Sequence, residues 1–275
     1  IPDAQESRGL GDVYKRQTVM SNSIVVMKVG SSLISQGSRE NSAFFKRLAK
    51  CIKKFRENDF DIVLVSSGAI AYGMKKRGIE KKPKNIKQLQ SLSAVGQIGL
   101  INAYQKNFDK FKIEVAQVLL SHSDFKSETK SNNIKSSINN LLRWGITPIV
   151  NENDSVSTEE IESGDNDQLS AKLANLISSK KLILYTDQKG LYSKDPRVNK
   201  DAVLIDEVSL KELSNQKIIF GDSGNLGRGG MKTKLSAMKI FLITKQRTGY
   251  ILSGHEKDLF VSLQNQKKRT RLKLG

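Results

Sequence analysis

The sequence predicts an α/β fold, a three-layer sandwich in which a twisted, mostly parallel sheet lies between two layers of helices. Three observations carry this expectation. Short β-branched runs alternate with longer stretches that show helical apolar stripes, small or polar residues follow the runs directly, and no Pro- or Ser-rich linker interrupts the pattern. Residues 1–19 stand apart: they have no strand alternation or helical stripe, begin without methionine and lack the apolar core of a secretory signal. They are read as a non-native leader whose deletion leaves solubility and activity unchanged. Residues 20–261 then form one domain of two lobes without an internal repeat, and 262–275 a basic tail.

The elements follow in order. Ile24-Val25-Val26-Met27-Lys28-Val29 predicts a strand over 24–29, because a near-continuous apolar run suits a parallel strand covered on both faces. Phe44, Leu48, Ile52 and Phe55 recur at helical spacing and predict a helix over 40–57. Ile62-Val63-Leu64-Val65 predicts a strand over 61–66. Helix 86–108, strand 113–120, helix 132–143 and strand 146–151 repeat the unit, and helix 167–179 leads into strand 181–186. Further on, 202–208 reads as a strand and 231–242 as a helix.

At 275 residues the chain can bury a sizeable core, and its 37% apolar content is cytosol-like, so a cytoplasmic location is expected. No apolar run approaches the ~18 residues of a membrane-spanning helix, which excludes that class. The single Cys51 cannot close an internal disulfide, and His122 and His255 lie near no cysteine pair, which excludes disulfide scaffolds and Cys/His metal sites. Forty-six basic residues against 28 acidic give a net charge of +18. The excess runs through every segment and concentrates only at Lys267, Lys268, Arg269, Arg271 and Lys273, so it reads as a solvated surface. Aromatic residues at 6%, with Trp144 the single tryptophan, also argue against nucleic acid as a partner.

In open α/β sheets ligands collect beyond the carboxyl ends of the strands, so the residues just after each strand are the candidates. Four junctions stand out. Lys28-Val29-Gly30-Ser31-Ser32 joins an ammonium to a glycine turn whose amides can approach an anion, a pattern that suits phosphate but is common by chance. Ser66-Ser67-Gly68-Ala69 leaves room for a carboxylate or phosphate at a helix N-terminus, and suits a plain capping serine equally well. Asn151-Glu152-Asn153-Asp154 and Gly164-Asp165-Asn166-Asp167-Gln168 hold more carboxylates and carboxamides than caps require, with Asp165 or Asn166 as the cap of the next helix. The surplus can bind an amine-bearing substrate or order catalytic lysines. The fourth junction, Tyr185-Thr186-Asp187, pairs with a segment in which five glycines between Gly221 and Gly230 precede a helix presenting Lys232 and Lys234, a flexible anion cradle. Walker A, dinucleotide-binding and protein-kinase signatures are absent.

Taken in order, the segments VVMKVGSSL, IVLVSSGAIAYG, LSAVGQIGL, QVLLS, PIVNENDSV, GDNDQLSAKLA, LILYTDQKGLYSKDPR and GRGGMKTKLSA resemble the glutamate 5-kinase family of the amino-acid kinase superfamily, over about residues 24–255. The resemblance implies the amino-acid kinase fold and ATP-dependent phosphorylation of the L-glutamate side-chain carboxylate to L-glutamyl 5-phosphate, the first step of proline biosynthesis. It places Lys28, Thr186, Asp187, Arg228, Gly229, Gly230, Met231, Lys232, Thr233 and Lys234 at ATP, and Ser67, Asp154 and Asn166 at glutamate. It gives Asp167 the task of orienting Lys28 and Lys234, the catalytic pair. No metal ligand from the protein is expected, Mg²⁺ being carried on ATP, and the resemblance also implies a homo-oligomer built on helices such as 86–108 and proline as a feedback inhibitor. Two features depart from the pattern. Arg228 stands where relatives often have threonine, and only 21 residues follow Gly254, too few for the C-terminal module resembling those of RNA-modifying enzymes that many relatives carry. A form without that module is expected, with 262–275 a frayed tail.

The implied chemistry needs no general base, because a side-chain carboxylate with a pKa near ~4.3 is ionised at neutral pH. The barrier is electrostatic, one anion approaching another during in-line transfer. The two lysines, the backbone amides of Gly30, Gly229 and Gly230, and metal on the nucleotide would supply the compensating charge. Two other readings are weighed beside this one: an acetylglutamate-type acyl-phosphate kinase, and a basic RNA-binding protein that keeps a kinase-like fold.

Overall fold

The computed structural model describes residues 22–34, 38–157, 166–215 and 230–275. The described chain begins with strand β1 (Ser23–Val29), helices α1 (Ser31–Ile34) and α2 (Ser38–Arg56), and strand β2 (Phe60–Ser66). Helices α3 (Ala69–Arg77) and α4 (Ile86–Phe108) precede strand β3 (Val115–Leu120), helix α5 (Glu128–Arg143) and strand β4 (Thr147–Glu152). Helix α6 (Asn166–Leu176), strand β5 (Lys181–Thr186) and the short strands β6 (Leu191–Tyr192), β7 (Leu204–Ile205) and β8 (Glu207–Ser209) come next. Helix α7 (Leu210–Asn215), helix α8 (Met231–Phe241), strand β9 (Thr248–Ser253), helix α9 (Leu259–Gln264) and strand β10 (Arg269–Lys273) complete the order.

Eight strands form the central sheet in the order β3-β4-β2-β1-β5-β9-β10-β8, while β6 and β7 make a separate hairpin pair. All pairings in the large sheet are parallel except β9 with β10. Side chains alternate across it and divide the core in two. Val25, Met27 and Val29 pack with Phe44, Leu48, Ile52 and Tyr104 from α2 and α4. Val26, Val63, Leu182 and Leu184 pack with Leu169, Leu173, Met238 and Phe241 from α6 and α8. Lys28 has the parity of Val26, so the pleat itself turns its side chain toward α6 and α8. Register aligns Lys28 with Val65 of β2 and Leu184 of β5, so the carboxyl ends of the three central strands open at one level.

The expected strands and helices of the first two thirds of the chain are present with small changes at their ends. Helix α5 starts at Glu128, four residues before the expected 132, because the Ser127 side chain accepts a hydrogen bond from the Lys130 amide and caps it there. The span 202–208 holds two short strands, β7 and most of β8. Helix α3 lies close against α4: a Cβ on Gly73 would come within 1.9 Å of the Leu92 carbonyl oxygen, and one on Gly96 within 1.8 Å of that of Ala69. This contact needs glycine at both positions.

The expected frayed tail over 262–275 is corrected. Strand β10 lies inside the large sheet between β9 and β8, with Thr270 and Leu272 fully buried. The Thr270 hydroxyl donates to the Ile205 carbonyl at 2.6 Å and accepts from the Leu191 amide at 2.7 Å. Within Arg269-Thr270-Arg271-Leu272-Lys273 a period of two hides Thr and Leu and leaves Arg271 and Lys273 half-buried, so a basic run in the sequence is an amphipathic strand in the fold. No helix of the described residues is long and apolar enough to cross a membrane.

Candidate active site

The site forms where β1, β2 and β4 end and α6 and α8 begin. Asp167, in the first turn of α6, is fully buried and sits between two lysines. Lys28 Nζ lies 2.7 Å from its Oδ1, and Lys234 Nζ, from the first turns of α8, lies 3.1 Å from its Oδ2. Thr233 Oγ1 is 2.9 Å from the same Oδ2 and 2.8 Å from the Gly230 carbonyl oxygen, so it pins the start of α8 to the carboxylate. Burial by itself would raise the Asp167 pKa, but the charges of Lys28 and Lys234 outweigh it and bring the carboxyl down to about 2. Burial pushes the Lys234 ammonium down, Asp167 opposes that shift and Lys28 adds to it. Two cations around one carboxylate leave a formal charge of +1 in a mostly buried place at a helix N-terminus, which favours an anion.

The other half of the site is acceptor-rich. Asn166, next to Asp167, is fully buried, and its Nδ2 lies 3.0 Å from Ser67 Oγ, 2.9 Å from Asn151 Oδ1 and 3.2 Å from the Ser66 carbonyl oxygen. The Ser67 amide donates to the Val29 carbonyl, tying the end of β2 to that of β1, and Gly68 beyond it takes a φ of 108° to turn the chain into α3. Asp154, 4% exposed, accepts a hydrogen bond on Oδ2 from Ser93 Oγ of α4 at 3.0 Å. Burial lifts its pKa to about 6, against the hydrogen bond from Ser93 and the charge of Lys82. Asp154 Oδ1, Asn166 Oδ1 and Asn151 Nδ2 are among the buried atoms that have no hydrogen-bond partner among the described residues. Buried polar groups are rarely left so, and two acceptors with one donor suit a ligand that carries a cation and an anion.

The structure thus joins Lys28, Lys234 and Asp167 in one cluster and places Ser67 and Asn166 in another, with Asp154 on α4's Ser93. Thr186 is near the first: its hydroxyl donates to the exposed Asp187 at 2.9 Å, at the end of β5, and the charge of Asp187 reaches Lys234. Gly230 and Met231 begin α8, and Lys232 there is exposed. Arg228, Gly229, Gly164 and Asp165 lie outside the described residues. Sequence reasoning did not single out Ser93 or the partnership of Asn151 with Asn166. Ser93 was visible as a hydroxyl within the buried stripe Leu89, Leu92, Gly96 and Leu100 of α4.

A mostly parallel α/β sheet with a buried lysine pair on one aspartate defines an anion-handling site at strand ends. The sequence profile described as "Amino acid kinase family" matches residues 23–253, and the chain belongs to that family. Glutamate 5-kinase of Burkholderia vietnamiensis (strain G4 / LMG 22486) is 42% identical over 249 residues, which cover 90% of this chain and 67% of that protein. Glutamate 5-kinase of Paraburkholderia phytofirmans (strain DSM 17436 / LMG 22146 / PsJN) is 41% identical with the same coverage. Among solved structures, carbamate kinase from Giardia lamblia bound to AMP-PNP superposes with a TM-score of 0.64 at 16% identity, over 93% of this chain and all of that one. UMP kinase from Ureaplasma parvum gives 0.57 at 15% identity, over 92% and all of the two chains. At such identity these two structures establish the shared fold.

Proposed function

We propose that this chain transfers the γ-phosphoryl group of ATP to the side-chain carboxylate of L-glutamate, giving L-glutamyl 5-phosphate, the first step of proline biosynthesis. The observation that carries this reading is the adjacency of Asn166 and Asp167 at the start of α6, one residue facing each half of the site. Asp167 holds Lys28 and Lys234 at the nucleotide phosphates, and Asn166 with Ser67 holds the acceptor. The similarity to glutamate 5-kinases over 90% of the chain supports the same conclusion.

The acceptor carboxylate arrives ionised, so the protein removes no proton. Lys28 and Lys234 screen the repulsion between acceptor and phosphate and stay in place through transfer because Asp167 fixes both from behind. Mg²⁺ carried on the ATP phosphates would neutralise part of their charge, and no side chain of this protein is assigned to it. Asp154 Oδ1 takes the α-ammonium of glutamate. An N-acetylated substrate has no such cation, which favours free glutamate over acetylglutamate. A homo-oligomer and inhibition by proline belong to the same reading, the former supported by Ile98, which is 60% exposed on α4.

Purified protein with Mg²⁺-ATP, hydroxylamine and glutamate, N-acetylglutamate or aspartate tests it. Hydroxamate should form with glutamate alone. Turnover of N-acetylglutamate in its place would overturn the assignment of Asp154, and no turnover of any of the three by folded protein would overturn the reaction.

A further inference from the structure

Glu152, the last residue of β4, is fully buried and directly follows Asn151. Facing it is His122, 5% exposed, the first residue of a short 3₁₀ turn (His122–Lys126) beyond β3, with its Nε2 3.7 Å from Glu152 Oε2. The other imidazole nitrogen, Nδ1, lies 2.7 Å from Nζ of Lys172, which belongs to α6. These contacts close a circuit. The Glu152 amide donates to Asn151 Oδ1 at 2.9 Å, the same oxygen accepts from Asn166 Nδ2 at 2.9 Å, and Asn166 opens the helix that carries Lys172. His122 therefore links the middle of α6 to the end of β4, and the carboxamides of the acceptor half, Asn151 and Asn166, lie on the path between them.

An ammonium has only donors, so Lys172 donates, Nδ1 accepts, and the imidazole keeps its proton on Nε2, toward Glu152. In this neutral form the imidazole lies between a cation and an anion that balance. A second proton would go to Nδ1 and set a charged N–H against the ammonium, so Lys172 must leave while the imidazolium is drawn to Glu152. The circuit then opens at α6. The other charged groups around His122 are Asp124 and Lys126 of its own turn, the first paired with Lys130 of α5 at 2.9 Å and the second exposed, and Asp154 beyond β4, held by Ser93. We propose that His122 is a positioning residue for the acceptor: neutral, it keeps Asn151 and Asn166 in line, and its protonation releases them and weakens acceptor binding. This rests on the glutamate reading above and adds to it a control by pH, because histidine is the side chain that ordinarily changes charge between about pH 5 and 8.

The chain holds two histidines, and His255 is exposed, so NMR of the imidazole nitrogens follows each one, with H255Q assigning the signals. At about pH 8 the His122 proton should sit on Nε2. Saturating glutamate should lower the His122 pKa by about 1 and leave His255 unchanged: if protonation weakens the acceptor about tenfold, the loss of one charge-assisted contact, the acceptor weakens the proton equally. The net negative charge of glutamate would by itself raise that pKa, so a fall reports the circuit. Asp154 also takes up a proton near pH 6, and the NMR separates the two groups where a pH profile of KM merges them. Kinetics at about pH 8 complete the test. H122A should raise the glutamate KM about tenfold with kcat and the ATP KM within about twofold, and H122N, whose Oδ1 replaces Nδ1 as acceptor for Lys172, should restore most of the loss. A proton on Nδ1, a His122 pKa that glutamate raises or leaves unchanged, or an H122A variant that keeps the wild-type glutamate KM or loses glutamate and ATP alike would overturn the role. Wild-type turnover of glutamate, run alongside, tests the parent reading separately: turnover with an unresponsive His122 overturns the positioning role alone, and no turnover overturns the reading and the role together.

Discussion

Replacing Asp154 by Asn should make the empty protein more stable and a far poorer glutamate enzyme. Burial lifts the Asp154 pKa from 3.8 to about 6, despite the Ser93 hydrogen bond and the Lys82 charge. At about 1.36 kcal/mol for each tenfold change in proton affinity, the ionised carboxylate opposes folding by about 3 kcal/mol at pH 7. The amide avoids that penalty but puts an N–H donor where Oδ1 already lacks a partner, returning about 1 kcal/mol. The net gain of about 2 kcal/mol corresponds to a Tm increase of about 4–8 °C for a domain of this size. The pH dependence has a fixed sign. The folded carboxyl holds its proton more tightly than the unfolded one, so the penalty is complete above pH 6, eases as pH falls through 6 and is gone below 3.8. The Tm advantage of the Asn variant must therefore shrink between about pH 7.5 and pH 4. In the same variant the glutamate KM should rise about 10–150-fold, the 1.5–3 kcal/mol of a charge-assisted hydrogen bond, while the ATP KM holds. Thermal unfolding of ligand-free protein across that pH range, with steady-state kinetics at its upper end, measures both. A Tm that falls, or a gain independent of pH, would refute the assignment of strain to this carboxylate, and equal loss of glutamate and ATP affinity would refute its role as the ammonium partner.

Two further outcomes follow from the geometry. Lys234→Ala removes one of the two cations on Asp167 and should lower kcat by at least about 10²–10³-fold, the magnitude of losing a preorganised charge-stabilising donor; single-turnover transfer from radiolabelled ATP measures it, and a near-normal rate would take Lys234 out of the chemistry. A chain ended at Asn265 loses β10 and exposes the edges of β9 and β8 together with the apolar surface over Leu272, so it should lose its cooperative thermal transition; a truncation that melts like the full chain would show β10 to be dispensable.

Much of the site was legible in the chain because its residues lie at strand ends, where polarity breaks an apolar run. Lys28 interrupts β1, Ser67 follows β2, Asp154 follows β4, and Asn166 with Asp167 opens α6. Ser93 was not legible in this way, since it lies inside a helix and gains meaning only when α4 is laid beside the end of β4. The basic residues over 267–273 read as a solvated tail in sequence, yet from Arg269 onward they belong to a strand inside the sheet, with Arg269 buried and Arg271 and Lys273 half-buried.

By itself the sequence determined which segments are strands and helices, since apolar periodicity is a local property, and which residue types stand at the strand ends. Only the tertiary structure decided that β10 lies between β9 and β8, because strand pairing joins residues distant along the chain. It also decided that Lys28, Asp167 and Lys234 meet within hydrogen-bond distance, because the parity of β1 and the packing of α6 beside α8 act together. Folding also leaves Asp154, Asn151 and Asn166 with buried atoms that have no partner among the described residues. Those atoms are a property of the folded surface alone: in the open chain water satisfies every one of them, and folding withdraws that water without supplying a protein partner.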